Sequence, residues 1–135
     1  MPKFTRAADL EKHLKRALDA TVYETIRTAQ GDLGSTEVSP YKDGRFRSSW
    51  FAAEGAASSA VAPEGTDSPN TDADGLRVDS RKQYHLTNSL PYAQRLCVED
   101  YAVSQPKNWF IDYVNVEMPK VMRDAAQAAK EQFDL

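Results

Sequence analysis

A helical stripe near the start of the sequence limits the possible folds more than any other feature. Between residues 4 and 30, Ala7, Leu10, Leu14, Ala17, Leu18, Thr21 and Thr25 recur at three- and four-residue steps, which is how one apolar helix face reads. Thr5 is the expected N-cap and Gly31 the expected stop. Glu11 and Lys15 lie four apart in the favourable order on the other side. So long a helix exceeds what a small sheet needs for cover, and its surplus turns are expected to project. Val22 and Ile26 drift off the stripe, either widening the core face or marking a second apolar contact.

A second helical period closes the sequence. From Asn108 onward, Ile111, Val114, Met118, Val121, Met122, Ala125, Ala129 and Phe133 fall on one side. Pro119 interrupts it, because proline lacks the N–H and clashes with the carbonyl four residues back. The helix is either kinked between Asn115 and Pro119 or starts afresh there.

Between these helices the period changes. Phe46, Ser48, Trp50 and Ala52 alternate with Arg47, Ser49 and Phe51, so residues 45–52 read as a strand after the Asp43-Gly44 turn. A second strand is expected over Gln83–Thr87, with Tyr84 and Leu86 on one face and Gln83, His85 and Thr87 on the other. Tyr92–Val98 reads equally as a helical turn or a strand. Residues 54–76 hold Gly, Ala, Ser, Pro, Thr and Asp with almost no large apolar side chains, and read as a mobile loop or extended insertion. The expected architecture is α+β in one domain spanning 1–135. A long N-terminal and a C-terminal helix pack on a small, mostly antiparallel sheet, with a long polar loop between strands.

Charge and chemistry exclude several function classes. With 17 Lys and Arg against 20 Asp and Glu, the chain carries net charge −3, unlike a basic nucleic-acid binder. No apolar run approaches the roughly 20 residues that a spanning helix needs. Asp9 and Glu11 stand where a signal peptide has its apolar stretch, and the single Cys97 points to a reducing cytoplasm. Two distant histidines and one cysteine do not form a zinc spacing. Ser48-Ser49 and Ser58-Ser59 lack a nucleophile elbow, Gly31-Asp32-Leu33-Gly34 lacks a P-loop's Lys-Ser, and no EF-hand glutamate follows the loop aspartates. The expectation is a protein that is not an enzyme, with no cofactor and no metal.

What remains concerns surfaces. On a strand, Arg45 and Arg47 would share the face opposite Phe46 and Trp50, either as a carboxylate-binding patch or as a solvated face. Asp67, Asp72 and Asp74 in the polar loop are the matching acids, so that one subunit's loop meets the next subunit's arginines. His85 is placed at a strand edge or interface.

Ser39-Pro40-Tyr41-Lys42-Asp43-Gly44-Arg45-Phe46-Arg47-Ser48-Ser49-Trp50 resembles the "Pro-x-(Asp or Lys)-(Thr or Asp)-Gly-Arg-Leu-Arg-x-Ser" segment of tail-completion and head–tail joining proteins of tailed bacterial viruses. Leu86-Thr87-Asn88-Ser89-Leu90-Pro91-Tyr92-Ala93-Gln94-Arg95-Leu96 is similar to that family's Pro-Tyr-Ala stretch, and Pro106-Lys107-Asn108-Trp109-Phe110 to its lead into a terminal helix. The chain departs from the pattern at Cys97-Val98-Glu99-Asp100-Tyr101, where family members carry Glu, an aromatic and Gly. The resemblance implies a structural component of the virion neck or tail top, assembled in the host cytoplasm. It implies a homo-oligomeric ring between portal-side connector and tail-tube-side proteins, with DNA sliding through the lumen without sequence-specific binding. It also implies that Gly44 permits the turn and that Phe46, Trp50, Tyr84, Leu86 and Tyr92 form the sheet core. The alternatives are a tail-terminator ring protein and a small binding domain that recognises a host protein.

Overall fold

A computed structural model describes residues 6–40, 44–97, 105–106 and 108–135. The chain is α+β. Its elements run α1 (Ala7–Leu33), α2 (Arg45–Ser48), β1 (Trp50–Glu54), a 3-10 turn (Asp72–Gly75), β2 (Tyr84–Asn88), α3 (Ala93–Cys97), α4 (Trp109–Asp112), a π turn (Tyr113–Glu117) and α5 (Met118–Gln132).

The first helix passes through Gly31, the expected stop, and ends at Leu33. Its last turn is fixed by burial of Ala29, Gln30 and Leu33, so the glycine is carried along. The expected cap Thr5 lies outside the described residues. The two long helices run antiparallel: the His13 ring meets Phe133 edge-on at 6.1 Å, and at the far end the Tyr113 hydroxyl donates to Asp32 Oδ2 at 2.8 Å. Ala17, Ala125 and Ala129 are buried, small side chains that let the helices approach closely.

The apolar stripe of α1 is only partly buried. Leu10, Leu14 and Leu18 are 38, 44 and 55% exposed. The first turns of α1 project beyond the short sheet, as expected from the surplus length of the helix, and leave this part of the stripe uncovered.

The expected strand over 45–52 is also corrected. Gly44 adopts φ +82 and starts a helical turn, and β1 begins only at Trp50. The Ser48 hydroxyl donates to Gly44 O and the Ser49 hydroxyl to Arg45 O, both at 2.7 Å. Hydroxyls that bond back to the carbonyl four residues earlier satisfy the serines within this single turn and tend to bend the helical backbone, so the chain leaves the turn at once into β1. Phe46 and Trp50 are nonetheless both buried, because a spacing of four is compatible with either period.

β1 and β2 form a two-stranded antiparallel sheet with Trp50 opposite Asn88 and Glu54 opposite Tyr84. The outer edge of β1 is closed by side chains: Gln30 Nε2 donates to Trp50 O, and Ala52 N donates to Asp72 Oδ1. The same register turns the N–H and C=O groups of Tyr84 and Leu86 outward on β2, where they have no hydrogen-bond partner among the described residues.

The core gathers Leu33, Phe46, Trp50, Leu90, Ala93, Trp109 and Tyr113, with Leu86, Tyr92 and Phe110 packed against it. Trp50 stacks on Phe110 at 5.9 Å, and Phe46 meets Trp109 edge-on at 6.2 Å. Tyr84, expected in this core, is outside it. Its hydroxyl accepts from Asp79 N at 2.7 Å and fastens the loop instead.

Of the two expectations for Tyr92–Val98, the described part is helical, with Ala93 buried; Val98 lies outside the described residues. At Pro119 the helix does not start afresh; the irregularity expected between Asn115 and Pro119 takes the form of a π turn. The π turn just before it widens the backbone ring by one residue, so the carbonyl that proline would strike is moved aside.

Candidate functional site

Residues 55–83 form an extended strap, and most of the residues expected at an interface are its internal fastenings. Arg45 Nε donates to Ala62 O at 2.8 Å, and Ala62 N donates to the Ser49 hydroxyl at 3.0 Å. Arg47 donates through Nε to Asp67 Oδ1 at 2.9 Å, and through its terminal nitrogens to Asp67 O and Gly34 O. The meeting of arginine and loop aspartate expected between subunits therefore occurs within one chain. The two arginines lie on α2 and not on a strand face. Asp67 also sits where a Cβ on Gly44 would be, so this crossing requires glycine.

Asp72 serves the β1 edge, accepting from Ala52 N and from Gln30 Nε2. Asp74 accepts the Tyr23 hydroxyl on its backbone carbonyl at 2.8 Å while its side chain is exposed. His85 stands opposite Ala53 on the sheet face away from Leu86, with Nε2 buried and without a hydrogen-bond partner among the described residues. The strap has few large apolar groups to bury, as its composition implies. Hydrogen bonds to backbone and to serines hold it, with Ala62 and Ala73 as its buried points.

The strap finishes at an ionic cluster. Lys15 Nζ lies 2.6 Å from Asp19 Oδ1 and 3.0 Å from Asp79 Oδ1, in place of the expected pairing with Glu11. Hydrogen bonds from Arg81 and Lys15 hold the Asp79 carboxyl well below the usual carboxylate range. Burial pushes the Asp19 carboxyl up, but hydrogen bonds from Lys15 and from the Ser80 N–H outweigh it and leave it lowered. Burial pushes the Cys97 thiol up to about 12, so it is protonated at neutral pH and a poor nucleophile. Among the described residues no group of three His, Cys, Asp or Glu side chains is placed to hold a metal ion. No described helix is long and apolar enough to cross a membrane.

The surfaces carry the remaining features. At the projecting end of α1, Leu10, Leu14 and Leu18 are exposed; farther along the helix pair Met122, 53% exposed, lines a small hollow with Thr21, Val22, Thr25 and Ile26. At the opposite end a cleft of about 520 Å³ has an apolar floor of Val38, Trp109, Tyr113 and Val116 and a rim of Glu37, Asp112 and Glu117. A smaller trough of about 320 Å³ runs beside β2 between Leu86, Cys97 and Phe110. The projecting turns that carry the leucines were expected from the length of the helix; the two clefts were not.

Comparison with family models, with curated proteins and with solved structures finds no match for the chain.

Proposed function

We propose that the chain is a structural subunit of the neck or tail top of a tailed bacterial virus. In that role it joins the DNA-filled head to the tail as one copy in a ring. The observation that carries this reading is the leucine stripe of α1. Three leucines one turn apart stay exposed on a helix that outreaches its own sheet. Contiguous exposed apolar surface of this kind marks a site of association. The edge of β2 adds backbone groups that have no partner among the described residues and that a neighbouring chain can satisfy.

The segments that carry the family resemblance support the reading in a second way. Gly44, Phe46 and Trp50 set the α2–β1 corner, and Leu90 and Ala93 close the core beneath it. The resemblance therefore lies in residues that build this fold and not in scattered surface positions. Tyr41, Lys42 and Asp43 of the first motif and Lys107 of the third lie outside the described residues.

In this role the subunit touches a copy of itself on each side, a portal-side protein above and a tail-side protein below. DNA passes through the ring without being read. Quantitative mass spectrometry of purified particles of the virus that encodes the chain tests the proposal. The expected result is a fixed small number of copies per particle. Particles that infect normally without the chain would overturn it.

A further inference from the structure

A ring of identical subunits needs a contact between two unlike surfaces of one molecule. Two such surfaces lie at opposite ends of α1. The cleft sits at the Leu33 end, where Tyr113 is tied to Asp32. On its rim Glu37 and Asp112 are exposed, and among the described residues neither carboxylate has a hydrogen-bond or ion-pair partner. Near the other end Lys12 and Arg16 lie one helical turn apart, both exposed and both without a partner among the described residues. They stand on the side of α1 away from the leucines, so the leucine stripe stays available to another neighbour. From Arg16 to Leu33 the helix rises about 25 Å, too far for the two charge sets to meet within one subunit.

We infer that the Lys12–Arg16 face of one copy docks into the Glu37–Asp112 cleft of the next, head to tail. The inference rests on the neck-subunit reading and names the contact that would propagate its ring. The chemistry of both surfaces fits. Lysine and arginine lay their aliphatic stems on apolar surface while their charged heads reach outward. The cleft offers that surface in Val38, Trp109, Tyr113 and Val116, with carboxylates around it. Exposed ion pairs are individually weak and are screened by salt. A single contact is therefore reversible, and closing the ring multiplies it, since each further contact forms within an existing assembly.

The test uses the full-length chain and two charge-reversed variants, K12E/R16E and E37K/D112K. All four side chains are exposed, and thermal melts of each variant check that the fold is intact. Sedimentation velocity is run at low ionic strength and again near 0.5 M salt, where the Debye length falls to about 4 Å. The wild type is expected to associate at low salt and to dissociate at high salt. Each variant alone presents like charges to itself and is expected to associate at least tenfold more weakly. Mixed, the acidic face of one meets the basic cleft of the other, and association is expected to return in alternating order. A wild type that stays monomeric at low salt, variants that associate like the wild type, or a mixture no stronger than its components would each overturn the inference. Particle composition decides the neck reading separately, so loss of the docking contact leaves that reading standing. Restored association in the mixture would stand even if the chain proved absent from particles.

Discussion

Gln30 shows how much one side chain contributes that periodicity cannot reveal. It is 2% exposed near the C-terminal end of α1 and joins three parts of the fold. Its amide nitrogen donates to Trp50 O at 2.9 Å and to Asp72, and its oxygen accepts from Ala73 N at 3.0 Å. Replacing it with leucine keeps a similar volume but strands the Trp50 carbonyl and the Ala73 N–H. A buried polar group left without a partner costs about 1–3 kcal/mol, so Gln30→Leu is expected to lose about 2–4 kcal/mol in urea unfolding. A loss below about 0.5 kcal/mol, the range of ordinary surface changes, would show that these bonds are replaced by water. In sequence, Gln30 is a polar residue beside an expected helix end. Phe46 and Trp50, by contrast, were expected in the core and are buried, because a spacing of four puts them on one face in a strand and in a helical turn alike. A buried glutamine is dictated by partners 20 and 43 residues away, and no local pattern encodes them.

At the scale of elements, the period of the two long helices was readable, but which part of each stripe is covered was not. Coverage depends on how far the sheet extends, and among the described residues the sheet has two strands of five residues. The strand expected at 45–52 failed for a related reason, since Phe46 and Trp50 satisfy a helical turn as well as a pleat. The strap is the element whose order was least legible, because fastening by hydrogen bonds leaves no apolar signature. Its last fastening is ionic, so it responds to pH. Asp19 and Asp79 both have folded pKa values depressed below their unfolded values. Each therefore stabilises the folded strap above the ordinary carboxylate range near pH 4, and the contribution is lost as pH falls through the depressed values. Protection of the Ser80 amide against hydrogen exchange is expected to drop in acid before the amides of α5 lose theirs. Lys15→Ala is expected to produce the same loosening at neutral pH. Equal protection of the Ser80 amide in both chains would assign the fastening to Tyr84 instead.

The whole molecule is a helix pair with a small sheet and a strap that retraces α1. From Ala73 the strap meets Gln30, then Tyr23, then Asp19 and Lys15, descending the helix toward its projecting end. The other half of the strap is secured to α2 through Ala62 and Asp67. Between those two points lies an exposed turn, in which Thr66 N donates to Pro63 O and Gly65 takes φ +86 with open space around it. A protease site introduced between Glu64 and Gly65 is expected to leave both pieces together after cutting. They should elute as one species with unchanged far-ultraviolet circular dichroism. Separation of the pieces would show that the covalent link itself orders the strap.

The turn at Gly65 is in effect a port. A short epitope or a dye-accepting loop spliced in there emerges from a point already braced on both flanks. No residue of the turn belongs to the leucine stripe or lines the acidic cleft, so a label there reports position in an assembled particle without replacing a residue of either surface.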